Sequence, residues 1–329
     1  MILAGNSAES IAQAAQVLAT GELVAFPTET VYGLGADAGR EDAVAKIFAA
    51  KGRPSDHPLI VHVADASGVA HFASQVPAFA SRLIEKFWPG PLTLILHRRI
   101  GVAAAAAGGH DSIGLRCPAH PVAHALLVAC AQATPAVIGL AAPSANKFGR
   151  VSPTTAGHVR AEFGDDLLVL DGGPCQVGIE STIVDCTRGV PVLLRPGVLG
   201  RAELEAACGE RMRNADELDA TPRASGTLES HYAPTARVRL MDAKSLQTAL
   251  DLLGAEAAGI ATYSRAILQT RSDKVIRRRM PDDAVETARQ LFAVLRDFDS
   301  HGVRLIWVET PPDEPEWEGV RDRLQRASA

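Results

Sequence analysis

The chain has 329 residues, of which 47% are hydrophobic, 22% charged and 5% aromatic, with a formal net charge of −5. That composition is globular, the length suits two domains, and the balance weighs against a dedicated nucleic-acid binder, which carries a basic footprint. Residues 1–200 hold 14 Lys/Arg against 16 Asp/Glu, leaving 19 against 22 for the rest, so phosphate binding would depend on a few placed cations. The five cysteines, Cys117, Cys130, Cys175, Cys186 and Cys208, show no C-x-x-C spacing. They indicate neither a disulfide framework nor a zinc site and fit a reduced, cytoplasmic compartment. The N-terminus lacks a signal-peptide pattern, and no apolar run approaches the ~20 residues of a membrane span.

The first element is a helix over Ala8–Ala19, with Ile11, Ala15 and Leu18 on one face, Asn6 or Ser7 as cap and Gly21 as stop. Short apolar runs follow at Leu23–Phe26, Leu59–Val63, Leu92–Leu96, Ser112–Arg116, Val137–Ala141, Leu167–Leu170, Thr182–Asp185 and Val192–Leu194, and read as strands. Helical spacing separates them at Glu41–Ala50, Pro77–Phe87, Pro121–Ala131 and Thr154–Phe163. Several strands lie too close for an intervening helix, so an α/β domain with a twisted, open, mixed sheet is expected. Ala103–Ala107, flanked by glycines, reads as a mobile loop or short helix. Beyond residue 200 the sequence turns polar, with a helix-like Leu199–Ala207, and reads as a linker over 201–234. A smaller, Rossmann-like α/β domain without the glycine fingerprint is expected over 235–329. Its expected elements are strands Val238–Met241, Gly259–Tyr263 and Val303–Glu309, with helices Ser245–Leu253 and Asp283–Phe298.

The chain has no G-x-x-x-x-G-K-[ST], no G-x-S-x-G and no H-E-x-x-H. Gly33–Gly39 approximates G-x-G-x-x-G with the third glycine one residue late, a weak dinucleotide signal. His120 and His124 have the spacing of one helix face, yet capping and core roles suit them better than metal binding, and no metal ligand is assigned. Three segments are harder to explain as scaffold. Phe26–Gly35 concentrates Thr28, Glu29, Thr30 and Tyr32 at a strand end, where open sheets place ligands. Lys51-Gly52-Arg53-Pro54 presents two cations on a stiff turn, suited to phosphate oxygens or equally to a solvated helix C-terminus. Pro143–Pro153 carries hydroxyls, an amide and two cations after a buried strand, with Ser152-Pro153 able to start the next helix.

Together these segments resemble the YrdC-like domain: Phe26–Leu34, K-x-R at Lys51 and Arg53, Pro58–Val63, Trp88–Thr93, Ser144-Ala145-Asn146, Gly178–Asp185 and Leu194–Gly197 occur in family order across about residues 10–200. His231-Tyr232-Ala233-Pro234 followed by a second domain is similar to the longer, two-domain form of L-threonylcarbamoyladenylate synthase. The resemblance implies a YrdC-like catalytic domain over 1–200, a linker over 201–234 closing on the site, and a separate domain over 235–329. It implies a nucleotidyltransferase that condenses L-threonine, bicarbonate and ATP, with magnesium, to threonylcarbamoyl-AMP and pyrophosphate. The product then serves tRNA modification through partner proteins. By resemblance Thr30, His62, Arg116, Ser181 and the backbone of Ala142 surround threonine. Lys51, Arg53, His57, Ser112, Ser144, Asn146, Ser152, Arg195 and His231 hold ATP, with Lys51 and Arg53 tied most directly to rate. The rival reading is an RNA- or tRNA-binding module without adenylate-forming activity, for which Arg271, Lys274 and Arg277–Arg279 form the one basic cluster.

Overall fold

A computed structural model describes residues 1–218, 222, 224–226 and 231–329. They divide into two compact units, residues 1–148 with 152–227 and residues 149–151 with 228–329.

The first unit is built on a 12-stranded mixed sheet among the described residues. Its order runs Ile2–Ala4, Leu168–Asp171, Val24–Phe26, Gly33–Asp37, Leu140–Ala141, Ile60–His62, Ser112–Arg116, Leu92–Arg98, Thr182–Asp185, Val192–Arg195 and Arg213–Asn214, with Ala73–Gln75 beside Leu92–Arg98. Helices cover both faces. Ala8–Ala19 and Pro121–Gln132 bury Ile11, Leu18, Leu126 and Leu127 on one side. Glu41–Lys51, Ala78–Phe87 and Arg201–Cys208 bury Val44, Ile47, Leu83 and Leu204 on the other. The first helix starts where expected because the Ser7 side chain accepts from Ser10 N–H, satisfying one of the orphan donors of a helix start.

Several expectations change. Gly33–Asp37 is a fully buried strand, antiparallel to Val24–Phe26, and not a phosphate loop. A Cβ on Gly35 would stand 2.8 Å from the Phe26 ring, so this glycine admits an aromatic ring rather than a nucleotide. The expected strand Val137–Ala141 shortens to Leu140–Ala141. Ala103–Ala107 is not a helix but a packed turn: Ala106 and Ala107 are fully buried, and Leu59 N–H donates to Ala106 O at 2.8 Å. Of the expected linker, residues 201–208 are helix and 213–214 strand, while 219–221, 223 and 227–230 lie outside the described residues.

The second unit holds a four-stranded, all-parallel sheet in the order Arg237–Met241, Leu305–Glu309, Ile260–Ser264, Ile276–Arg279. Helices Ala243–Asp251 and Ala284–Ser300 connect its strands and are capped by Asp242 and Asp283, whose carboxylates accept from Ser245 and Glu286 N–H. Ile276–Arg279 and the helix Glu318–Ser328 were not expected. Among the described residues no helix is long and apolar enough to cross a membrane.

Candidate active site

Parallel pairing sets His62 beside Arg116, each the last residue of its strand. Thr30 follows the end of Val24–Phe26, and Ser181 precedes Thr182–Asp185. All four are buried. The Arg116 guanidinium donates from Nη1 to Thr30 Oγ1 at 2.8 Å and from Nε to Gly90 O at 3.3 Å, and its Nη2 lies 2.7 Å from Glu29 Oε1. The Nη2–Glu29 contact is an ion pair without hydrogen-bond geometry, so of the five N–H groups of the guanidinium three make no hydrogen bond among the described residues. Burial and then the Arg116 charge push the His62 imidazole down to about 3, so it is neutral at physiological pH, and its Nδ1 has no hydrogen-bond partner. Ala142 spends its N–H on Ile60 O at 2.9 Å, which leaves its carbonyl as the backbone group able to meet a ligand.

Arg195 extends this cluster. It donates to Ser181 O at 3.0 Å from Nε and to Ser181 Oγ at 3.1 Å from Nη2, and Ser181 Oγ pairs with Thr93 Oγ1 at 2.8 Å. One residue expected at ATP thus touches one expected at threonine.

The second group forms around Lys51, the last residue of its helix, after which Gly52 turns the chain at φ 65°. The Lys51 ammonium reaches back to donate to the carbonyls of Ser144 and Asn146, so the K-x-R turn and the Ser144–Asn146 turn are joined. Burial, with the neighbouring Arg53 charge, holds the Lys51 ammonium well below the usual lysine range. The solvated-helix-end alternative therefore fails: Lys51 and Arg53 are 3% and 7% exposed. Arg53 donates to Pro58 O at 2.9 Å, and its guanidinium carbon lies 5.7 Å from the centre of the Phe148 ring, which His57 meets edge-on at 5.5 Å. Ser152 Oγ donates to the buried Glu180 carboxylate. Ser112 opens the strand that Arg116 closes, so about 13 Å of strand separates the two at roughly 3.3 Å per residue. His231 belongs to the second unit, where its N–H donates to Arg326 O at 3.2 Å, and its expected role rests on sequence alone.

Glu29, Thr93 and Glu180 were absent from the expected site although each touches it. The signal for Glu29 was an acid between two threonines at a strand end. The basic cluster of the rival reading is largely neutralised: Lys274 pairs with Glu256 at 2.5 Å, Arg278 with Asp297 at 2.9 Å and Arg279 with Asp282 at 3.0 Å. His120 serves as a helix cap, its Nδ1 accepting from Val122 N–H, and His124 is exposed.

Buried cations and hydroxyls are gathered at the strand ends of an open α/β sheet, with no nucleophilic triad among the described residues, an arrangement suited to an enzyme that aligns anions. Comparison with known proteins gives the particular kind. Residues 16–197 match the profile of the Sua5/YciO/YrdC family, described as telomere recombination, and residues 199–329 match the threonylcarbamoyl-AMP synthase C-terminal domain. The threonylcarbamoyl-AMP synthase of Pyrococcus abyssi is 39% identical over 326 residues, covering 96% of this chain and 93% of that protein. That of Bacillus subtilis is 38% identical over 328 residues, covering 97% and 92%. The crystal structure of P. abyssi Sua5 complexed with L-threonine superposes with a TM-score of 0.87 at 37% identity, covering 98% of this chain and 95% of that one. The chain belongs to the threonylcarbamoyl-AMP synthase family.

Proposed function

We propose that the protein condenses L-threonine, bicarbonate and ATP to threonylcarbamoyl-AMP with release of pyrophosphate. The observation that carries this reading is Arg116, a buried guanidinium among hydroxyls with N–H groups still to offer a carboxylate. Threonine binds through its carboxylate to that fork, with Thr30, Ser181, the neutral His62 and the Ala142 carbonyl around it. Its free amine joins bicarbonate with loss of water to give a carbamate, and a carbamate oxygen attacks the α-phosphorus of ATP as pyrophosphate departs. Lys51, Arg53, His57, Ser112, Ser144, Asn146, Ser152 and Arg195 hold phosphates and ribose.

Two anions must be held in line, so catalysis consists of alignment and charge neutralisation, and one well-placed donor is worth about 10²–10³ in rate. Magnesium would add neutralisation of the triphosphate. No group of three His, Cys, Asp or Glu side chains among the described residues is disposed to hold an ion, so magnesium would come bound to ATP. The product would pass its threonylcarbamoyl group to a tRNA adenosine through other proteins. A reducing, cytoplasmic setting is supported by five free, buried cysteines, of which burial pushes Cys117 up to about 11 and Cys130 and Cys175 up to about 12.

Pyrophosphate release measured with each substrate omitted in turn tests the reading. Release that depends on threonine, bicarbonate and ATP together is expected, and equal release without threonine would overturn it.

A further inference from the structure

Glu29 has no role in the scheme above, yet it is the residue bound most closely to Arg116. Its side chain is 8% exposed and that of Arg116 4%. Its two oxygens do different things: Oε2 accepts from Ala119 N–H at 3.1 Å, while Oε1 lies 2.7 Å from Arg116 Nη2 as an ion pair and accepts no hydrogen bond. The backbone fixes it as well, since Val177 N–H donates to Glu29 O at 2.8 Å. The carboxylate is thus anchored on one side and turned to the guanidinium on the other.

Charge accounting gives this pair a consequence. A buried ion survives only when compensated. Without a ligand, Arg116 and Glu29 sum to zero, and the neighbouring His62 is neutral. Arg195 lies further along the cluster, on Ser181, so the accounting concerns the immediate partners of a bound carboxylate: at Arg116, whose charge Glu29 already answers, a bare carboxylate would meet a neutral pair and a close second carboxylate. A zwitterion adds no net charge, because its ammonium answers the charge that its carboxylate brings.

Resting on the reading of Arg116 as the carboxylate partner, we propose that Glu29 determines specificity by making the pocket accept an α-amino acid zwitterion and reject the corresponding 2-hydroxy acid. Arg116 alone would favour any small carboxylate, and Glu29 converts that preference into a demand for the amino group on which the reaction depends.

The test is calorimetric titration of the full chain with L-threonine and with 2,3-dihydroxybutyrate, in which a hydroxyl replaces the amino group. Glu29→Gln keeps the shape and removes the charge. The ratio of threonine affinity to hydroxy-acid affinity is expected to fall at least about tenfold, with the hydroxy acid binding more tightly than to the wild type, as expected when a charged group that enforced discrimination is lost. A residue that merely supported the pocket would weaken both ligands alike, and an unchanged ratio would overturn the proposal. Should Glu29→Gln unfold, Glu29→Asp decides, since it keeps the charge and is expected to keep the ratio; a ratio collapsed there as well counts against the proposal. Arg116→Ala separates the two readings. If it binds threonine like the wild type, the carboxylate assignment itself fails. If it loses threonine while Glu29→Gln keeps the wild-type ratio, only the role of Glu29 falls.

Discussion

Both units bury a carboxylate beside an arginine, and the two cases differ in how completely the charges are answered. In the second unit Glu309 closes its strand and accepts from Ser264 Oγ at 2.6 Å, Arg265 N–H at 2.8 Å, Ala266 N–H at 3.1 Å and Arg265 Nη2 at 2.6 Å. Both oxygens of that carboxylate are in use, although Arg265 Nε has no partner among the described residues, and the carboxylate reads as architecture. In the first unit three N–H groups of Arg116 make no hydrogen bond and His62 Nδ1 has no partner, although both residues are buried. An unanswered buried polar group costs about 1–3 kcal/mol, which a ligand bound there would restore. An open atom alone does not mark a site, because Arg265 Nε, Thr262 Oγ1 and Tyr263 Oη in the second unit also lack a partner among the described residues. The contrast lies in the carboxylates: saturation marks Glu309, and open valence at Glu29 Oε1, beside a guanidinium and an imidazole with donors to spare, marks the site.

The sharpest way to break this contrast is Lys51→Ala. The ammonium is held against two carbonyls in a place where burial disfavours its charge. Removing it loses two hydrogen bonds but also relieves that desolvation, so little net change in stability is expected. Threonine-dependent pyrophosphate release should fall by about 10²–10³ or more, the cost of removing a donor preorganised for transition-state charge. Near-normal turnover together with a large drop in melting temperature would make Lys51 architecture, like Glu309.

A smaller effect separates the units by pH. The His62 imidazole sits near 3 in the folded protein against an ordinary 6.5. Below pH 6.5 the unfolded chain takes up a proton there that the folded chain refuses until about pH 3. Acidification through that window therefore favours unfolding, by up to about 1.4 kcal/mol per pH unit. His120, lowered by burial, acts in the same direction. For Glu309, burial pulls the carboxyl up, but hydrogen bonds from Ser264, Ala266 and Arg265 outweigh it and leave it below its ordinary 4.5. Its contribution is intact above 4.5 and is lost as pH falls through the lower folded value. Hydrogen exchange resolved by region should show the first unit loosening from about pH 6.5 and the second only below about pH 4.5, with the early loss reduced in His62→Asn. Simultaneous loosening, or no change in the variant, would remove the contrast.

The sequence displayed the open valence better than the saturation. Polar residues crowded at strand ends stood out because a mixed α/β sheet was evident from short apolar runs, and the mixed sheet and the second parallel sheet both formed as expected. Glu29 was passed over because its meaning depends on a partner 87 positions away, which only strand register brings near. Gly33–Asp37 was misjudged because a buried strand rich in glycine carries no alternation, and its need for glycine comes from the Phe26 ring on the neighbouring strand. Ile276–Arg279 was hidden for the opposite reason. Three consecutive arginines do not alternate, and an edge strand exposed along most of its length has no buried face to impose a pattern.

Those arginines supply the smallest expected effect. Lys274, Arg278 and Arg279 each lie within 3.0 Å of a carboxylate, and all three are about half exposed. Exposed pairs of this kind are each worth about 0–1 kcal/mol, and a cation already paired contributes little to the field that a phosphate backbone would feel. Replacing all three with alanine should shift stability by no more than about 3 kcal/mol and leave pyrophosphate release within about twofold. Titration of the variant with tRNA at two salt concentrations provides the counter-test, because counterion release gives phosphate contacts a steep salt dependence. If the wild type binds tRNA with such a dependence and the triple variant does not, the second unit holds a binding site of its own, and the contrast between an architectural unit and a functional one no longer stands.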